Sequence, residues 1–203
     1  MAIAARRIGT ESSATRALII EAAEAIFIEE GYGAASTRRV AARAGLKPSL
    51  VHYYFPTTED LLLAMSRKGQ SESDEWLDRA LASPEPLQAL WQLITNFNRN
   101  ALALETMALA NHRESIRVEI KRHSEDMRAR QVAAIERVLG ERLAQDPVLT
   151  APGLSLVLAG IGRALVMEGG LGITDGHADA RRWVEDWLEQ LVGNRDTAPA
   201  GSS

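Results

Sequence analysis

The chain of 203 residues has no cysteine. That excludes disulfide scaffolding, thiolate catalysis and cysteine-bound zinc. It shows no apolar run of about 18 residues, so no membrane span is expected. Its first residues, MAIAARRIGT, hold two arginines with no apolar segment after them, which does not describe a secretory signal. A cytoplasmic protein is the expectation. No strand pattern and no internal repeat is evident. Neither a nucleophile–base set, nor a phosphate loop, nor zinc-ligand spacing appears, so an enzyme is not expected. An excess of positive charge is also missing: the net charge is −4. What remains is an apolar content of 46 % with 25 % charged residues, the make-up of a globular protein with helical periodicity throughout.

The chain is organised around residues 36–55, STRRVAARAGLKPSLVHYYF. Val40, Ala41 and Ala44 fall on one face of a short helix, with Thr37 placed to cap its start. Gly45 can end it by taking a positive φ without a Cβ penalty. Pro48 suits the first turn of a second helix, where its missing N–H is not needed. Leu46, Val51 and Phe55 supply that helix's apolar contacts. The small Ala41 lets the two helices cross closely, as in a helix-turn-helix. The rival is an ordinary αα-corner. The outward positions argue against it: Lys47, Ser49, Leu50, His52 and Tyr53 replace the usual Glu and Lys of a solvated face.

Residues 31–61, GYGAASTRRVAARAGLKPSLVHYYFPTTEDL, resemble the DNA-binding domain of TetR/AcrR-type transcriptional regulators. The lead-in Ile19, Ile20, Glu21, Ala22, Ala23 and Phe27 does too. The likeness covers roughly residues 14–63; the remainder matches in length and helical character. It implies an all-α fold: an N-terminal three-helix helix-turn-helix domain plus a C-terminal helical ligand-binding and dimerisation domain. The divisions are a flexible arm at 1–10, the DNA-binding domain at 11–57, the regulatory and dimerisation domain at 58–193, and a disordered tail at 194–203.

Charge is distributed accordingly. Residues 1–55 carry seven bases and five acids, the rest 16 and 22, so a local positive face sits on an acidic chain. Thr37 and Arg38, at the start of the first motif helix, are expected to hold phosphates. Lys47 is read as a phosphate or guanine contact, and Leu50 as packing on a thymine methyl. Ser49 permits close approach. His52 and Tyr53 donate to phosphates or touch base edges, and Tyr54 is divided between core and backbone contact. Arg39 and Arg43 are read as solvated or salt-bridged. The family commonly has Thr where Leu50 stands, Tyr at His52 and Lys at Thr58; the last departure leaves no phosphate contact to carry over there.

Elsewhere the first helix is expected over 11–30, capped by Ser12 or Ser13, with Tyr32 in the core. Thr57 or Thr58 caps a helix running to about Leu81. Three helices follow over 87–140, then a loop at 145–153. The last two helices, 154–171 and 177–192, have broad apolar faces. They are read as the interface of a homodimer through residues 154–192. Ser155, Ala159, Gly162 and Gly169 form a small-residue face there. Arg163, within an apolar run, is read as meeting an acid, either across the dimer or on a ligand.

The resemblance implies a small-molecule effector, which no residue identifies. Candidate lining residues are Trp91, Phe97, Met107, His112, His123, Met127 and Met167, against ordinary core packing. His112 and His123, eleven apart, could share a face with Glu119 and Asp126; a solvated helix face is the default, and neither a metal nor a cofactor is expected. The expected partner is double-stranded DNA, bound as a repressor at a palindromic operator. The alternative is a helical small-molecule-binding or sequestering protein that has lost specific DNA binding.

Overall fold

The computed structural model describes residues 13–31, 34–146 and 148–193, with the backbone alone at 97–99, 101, 102 and 105. Among these the structure is all-helical. The elements are α1 (Ala14–Glu30), α2 (Thr37–Arg43), α3 (Pro48–Tyr54), α4 (Thr58–Leu81), α5 (Pro86–Ile94), α6 (Phe97–Ala110), α7 (Glu114–Gln145), α8 (Ala151–Gly170) and α9 (His177–Gly193). They form two compact units. One comprises residues up to Ser71 with Thr106–Arg117; the other comprises Glu72–Glu105 with the residues from Val118 onward. The expectations for 1–12, Tyr32 and 194–203 lie outside the described residues.

In the first unit, α1 starts at Ser13, whose Oγ accepts the backbone N–H of Arg16 at 3.1 Å. Its apolar face, Ile19, Ala22, Ala23, Ile26 and Phe27, is buried, as its helical spacing requires. α4 opens on a reciprocal cap. The Asp60 N–H donates to Thr57 Oγ1 at 3.1 Å, and the Thr57 N–H donates to Asp60 Oδ2 at 2.9 Å. Two orphan donors are thereby satisfied.

The second unit gathers Leu87, Trp91, Ile135, Leu139, Leu154, Leu158, Leu165, Val184 and Leu188 into one core. Two residues of the small-residue face of α8, Ser155 and Gly162, pack within this unit. A Cβ on Gly162 would lie 2.2 Å from Ile94 Cγ2, so glycine is what lets α5 and α8 cross so closely. Buried Ser155 donates to Gln131 Oε1 at 2.9 Å, tying α8 to α7 without leaving a polar atom stranded. At 20 residues α8 is long and apolar enough to cross a bilayer by length and composition, although Arg163 and Glu168 interrupt its apolar run. Leu154, Leu158, Leu165 and Val166 are instead buried in the protein, as in the core helix of a globular unit.

Candidate DNA-binding interface

The motif's turn is built by the backbone. Gly45 has φ 67°, the left-handed region that glycine enters freely. The Gly45 N–H donates to Ala42 O at 3.3 Å and the Leu46 N–H to Ala41 O at 2.9 Å, a Schellman pair that satisfies the last carbonyls of α2. The cap at the other end of α2 differs from expectation. Ser36 occupies the N-cap position, Thr37 is the first helical residue, and no side-chain capping bond forms. The neighbour is extended (φ −76°, ψ 150°) while Thr37 is already helical, so Thr37 cannot take the cap role. α3 has Pro48 in its first turn and Lys47 at its N-cap.

Of the seven residues of α3, only Val51 is fully buried. With Val40, Ala41 and Phe55 it packs the motif's interior, Arg16 lying over the Phe55 ring at 5.1 Å. Lys47, Ser49, His52 and Tyr53 are exposed, and Leu50 and Tyr54 half-buried. The Tyr53 and Tyr54 rings meet edge-to-face, centroids 5.3 Å apart. A shallow depression lined by Gly45, Leu46, Lys47, Ser49, Leu50 and Tyr53 gathers four of the predicted contact residues on one surface. The same surface carries a cation, hydroxyls and an apolar tip, the chemistry of base-edge and phosphate contacts.

Charge near the motif is sorted by ion pairs. The Arg43 guanidinium donates to both oxygens of Glu29, at 2.5 and 2.6 Å. Arg39 donates to both oxygens of Glu30. The hydrogen bonds from Arg43 hold the Glu29 carboxyl below the usual range and raise Arg43 in turn. Arg38 and Lys47 are exposed and have no carboxylate partner among the described residues. The pairing partners were not evident from sequence; the only signal is the Glu29-Glu30 end of α1 facing a motif helix rich in arginine. Glu59, in the first turn of α4, bonds Ser115 and lies 3.8 Å from Arg113.

The candidate effector residues are divided between the two units. Met107 and His112 belong to the first and are exposed. Trp91 is fully buried in the second unit's core, where its Nε1–H has no partner among the described residues. His123 and Met127 are half-buried and Met167 is 59 % exposed; the Phe97 side chain lies outside the described residues. His112 precedes α7, which begins at Glu114, so it does not share a helix face with His123. His123 sits 3.9 Å from Asp74; burial pushes its imidazole below the usual value, Asp74 opposing. Among the described residues no three potential ligands gather as a metal site. Arg163 is half-buried and has no acid partner among the described residues. Burial, and then the charge of Arg128, lower its affinity for the proton.

Residues 19–65 match the family model of bacterial regulatory proteins, tetR family. Comparison with curated proteins gives no match. Among solved structures, the fold is similar to that of a TetR transcription regulator from Haloarcula marismortui, at TM-score 0.71 and 20 % identity over 87 % of this chain and 97 % of that one. It is similar to a TetR-family regulator from a Rhodococcus species, at TM-score 0.70 and 18 % identity over 89 % of this chain and 100 % of that one. The multidrug binding protein EbrR, complexed with imidazole, gives 0.58 and 22 % over 95 % and 99 %. Residues 19–65 thus form a domain of the tetR family of bacterial regulatory proteins, and the helices of the chain share the fold of these solved TetR regulators.

Proposed function

We propose that the chain is a cytoplasmic, non-enzymatic repressor that binds a palindromic operator as a homodimer and releases it when a small molecule binds residues 58–193. The observation that carries this reading is the exposed surface of α3, held on a single buried residue and flanked by Arg38 and Lys47. In this reading α3 enters the major groove. Lys47, His52 and Tyr53 meet phosphates or base edges, Leu50 packs on a thymine methyl, and Thr37 and Arg38 hold the flanking backbone. Ser49 leaves room for close approach, and Tyr54 braces Tyr53.

One such helix reaches only a few base pairs, each good contact giving about 1–3 kcal/mol. Two copies related by a two-fold axis double the contacts. The second copy is supported by the outer apolar residues of the last helices. Leu156, Met167 and Leu171 on α8 and its C-terminal turn are exposed, as is Trp183 on α9, stacked on Trp187 at 5.5 Å. Arg163 supports an acid from outside the chain, on the second copy or on the effector. The imidazole held by EbrR supports the effector step by likeness of fold.

Selection from a random duplex library with purified protein at near-physiological salt tests the reading. Enrichment of a two-fold symmetric site is expected. No enrichment, repeated at low salt and after stripping any co-purified ligand, would replace it with the sequestering protein.

A further inference from the structure

We infer that Glu29 and Glu30 are specificity determinants of DNA binding, acting by withholding Arg39 and Arg43 from the phosphate backbone. The inference rests on the reading of α2 and α3 as the DNA-binding surface.

Three consecutive or near-consecutive arginines, Arg38, Arg39 and Arg43, stand on α2. Sequence alone gives Arg38 to phosphate and names no partner for Arg39 and Arg43. The structure divides them. Arg39 and Arg43, four apart on one helical face, are each taken by both oxygens of an acid at the end of α1, while Arg38 has no carboxylate partner among the described residues. Arg43 meets Glu29 two-pronged, Nη1 and Nη2 each donating to one oxygen, as a guanidinium would meet a phosphate; Arg39 gives its Nη2 to both oxygens of Glu30, so the carboxylates occupy donors that DNA would use. These pairs are largely exposed, with side-chain exposures of 49 and 39 % for Arg39 and Glu30 and 39 and 53 % for Arg43 and Glu29. Exposed pairs of this kind add little to folding stability, so holding α1 to α2 is a weak reason for them.

Their consequence for DNA is larger. Each phosphate neutralised releases condensed counterions and strengthens binding to every sequence alike. A head that spent two more arginines on phosphates would gain affinity for random DNA and lose discrimination. With both tied back, a larger share of the affinity must come from α3, where sequence is read. Glu29 and Glu30 touch no DNA in this scheme; they act through Arg39 and Arg43 and are positioning residues.

The test uses the full-length protein, a selected operator duplex and a random duplex, with affinity measured across salt concentration. In Glu29→Gln/Glu30→Gln the two guanidiniums are released. The random-duplex plot of log affinity against log salt should steepen by about 1.8 per subunit engaged, twice the ~0.9 expected per phosphate, and the operator-to-random ratio should fall. Adding Arg39→Gln and Arg43→Gln to that variant should return the slope to the parent's. In the parent background the same two arginine changes should leave the slope unaltered. A purely structural role for the acids would not be reversed by removing the arginines. An unaltered slope in the glutamine variant overturns the inference, and so does a parent slope that falls when Arg39 and Arg43 are removed. Should the double variant fold poorly, Glu29→Gln alone retains the Glu30–Arg39 tie and should steepen the slope by about 0.9 per subunit engaged. A parent protein with no operator preference refutes the underlying DNA-binding reading instead, a result visible before any variant is made.

Discussion

Replacing Gly162 with alanine should destabilise the second unit, although the same change elsewhere in a helix stabilises. Alanine is favoured over glycine in a helix interior by about 1 kcal/mol. Gly140→Ala, on the exposed side of α7 where a Cβ meets nothing within 4 Å, should realise that gain. At Gly162 the added carbon would lie 2.2 Å from Ile94 Cγ2, with the Ile94 carbonyl oxygen and carbon at 3.2 and 3.4 Å. Ordinary carbon contacts need about 3.5–4.0 Å, and the β-branched isoleucine is stiff at χ1. Its methyl cannot simply swing away, and its backbone crowds the new carbon as well. Overpacking of this sort costs about 1–3 kcal/mol; with backbone in the way the upper part of that range applies. Net of the propensity gain, Gly162→Ala should lose about 1–2 kcal/mol, a fall of roughly 2–8 °C in melting temperature for a chain of this length. Urea unfolding followed by circular dichroism and tryptophan fluorescence measures both variants. Ile94→Leu, which lacks the offending methyl, should recover part of the loss in Gly162→Ala, a coupling a double-mutant cycle reads directly. Gly162→Ala as stable as Gly140→Ala would refute the close-crossing argument.

Tyr53→Ala should weaken operator binding about tenfold per half-site, the worth of one charge-assisted hydrogen bond of ~1.5 kcal/mol, with the thermal melt unchanged; unchanged affinity removes Tyr53 from the contact surface. Thr57→Ala breaks the reciprocal cap of α4 and should cost about 1 kcal/mol, read as a lower urea midpoint, and an unmoved midpoint would show the cap to be idle. His123 has a folded-state proton affinity below its unfolded value, so the unfolded chain binds more protons as pH falls. Its contribution is therefore present above pH ~6.5 and lost as pH drops toward the folded value. The urea midpoint should fall from pH 7.5 to 5.5, and His123→Gln should flatten that fall; an equal fall in both proteins would acquit His123.

The helix-turn-helix was legible in the sequence because its instructions are local. Gly45 two residues past the end of α2, Pro48 in the first turn of α3 and the alternation of Val40, Ala41 and Val51 with exposed neighbours each act within a few residues. The cap of α2 was misread by one position because Ser36 and Thr37 carry the same hydroxyl chemistry, and the choice depends on where the backbone turns helical. Partners across a gap were not legible. That Arg43 meets Glu29 depends on how the chain returns between α1 and α2, which no periodicity encodes. The small residues of α8 were visible as a face, but only packing shows that Gly162 serves Ile94 within the chain. The effector residues were chosen by chemistry alone, and Trp91 shows the limit of that method: a large aromatic with a polar tip is indistinguishable in sequence from the core residue it is.

The single buried anchor of α3 has an evolutionary consequence. Because Val51 alone is fully buried, substitutions at Ser49, His52 or Tyr53 change what the helix meets outside without disturbing what holds it in place. Recognition can drift while foldability stays fixed. A duplicated copy could thus acquire a new operator through a few surface changes, each intermediate still a folded protein.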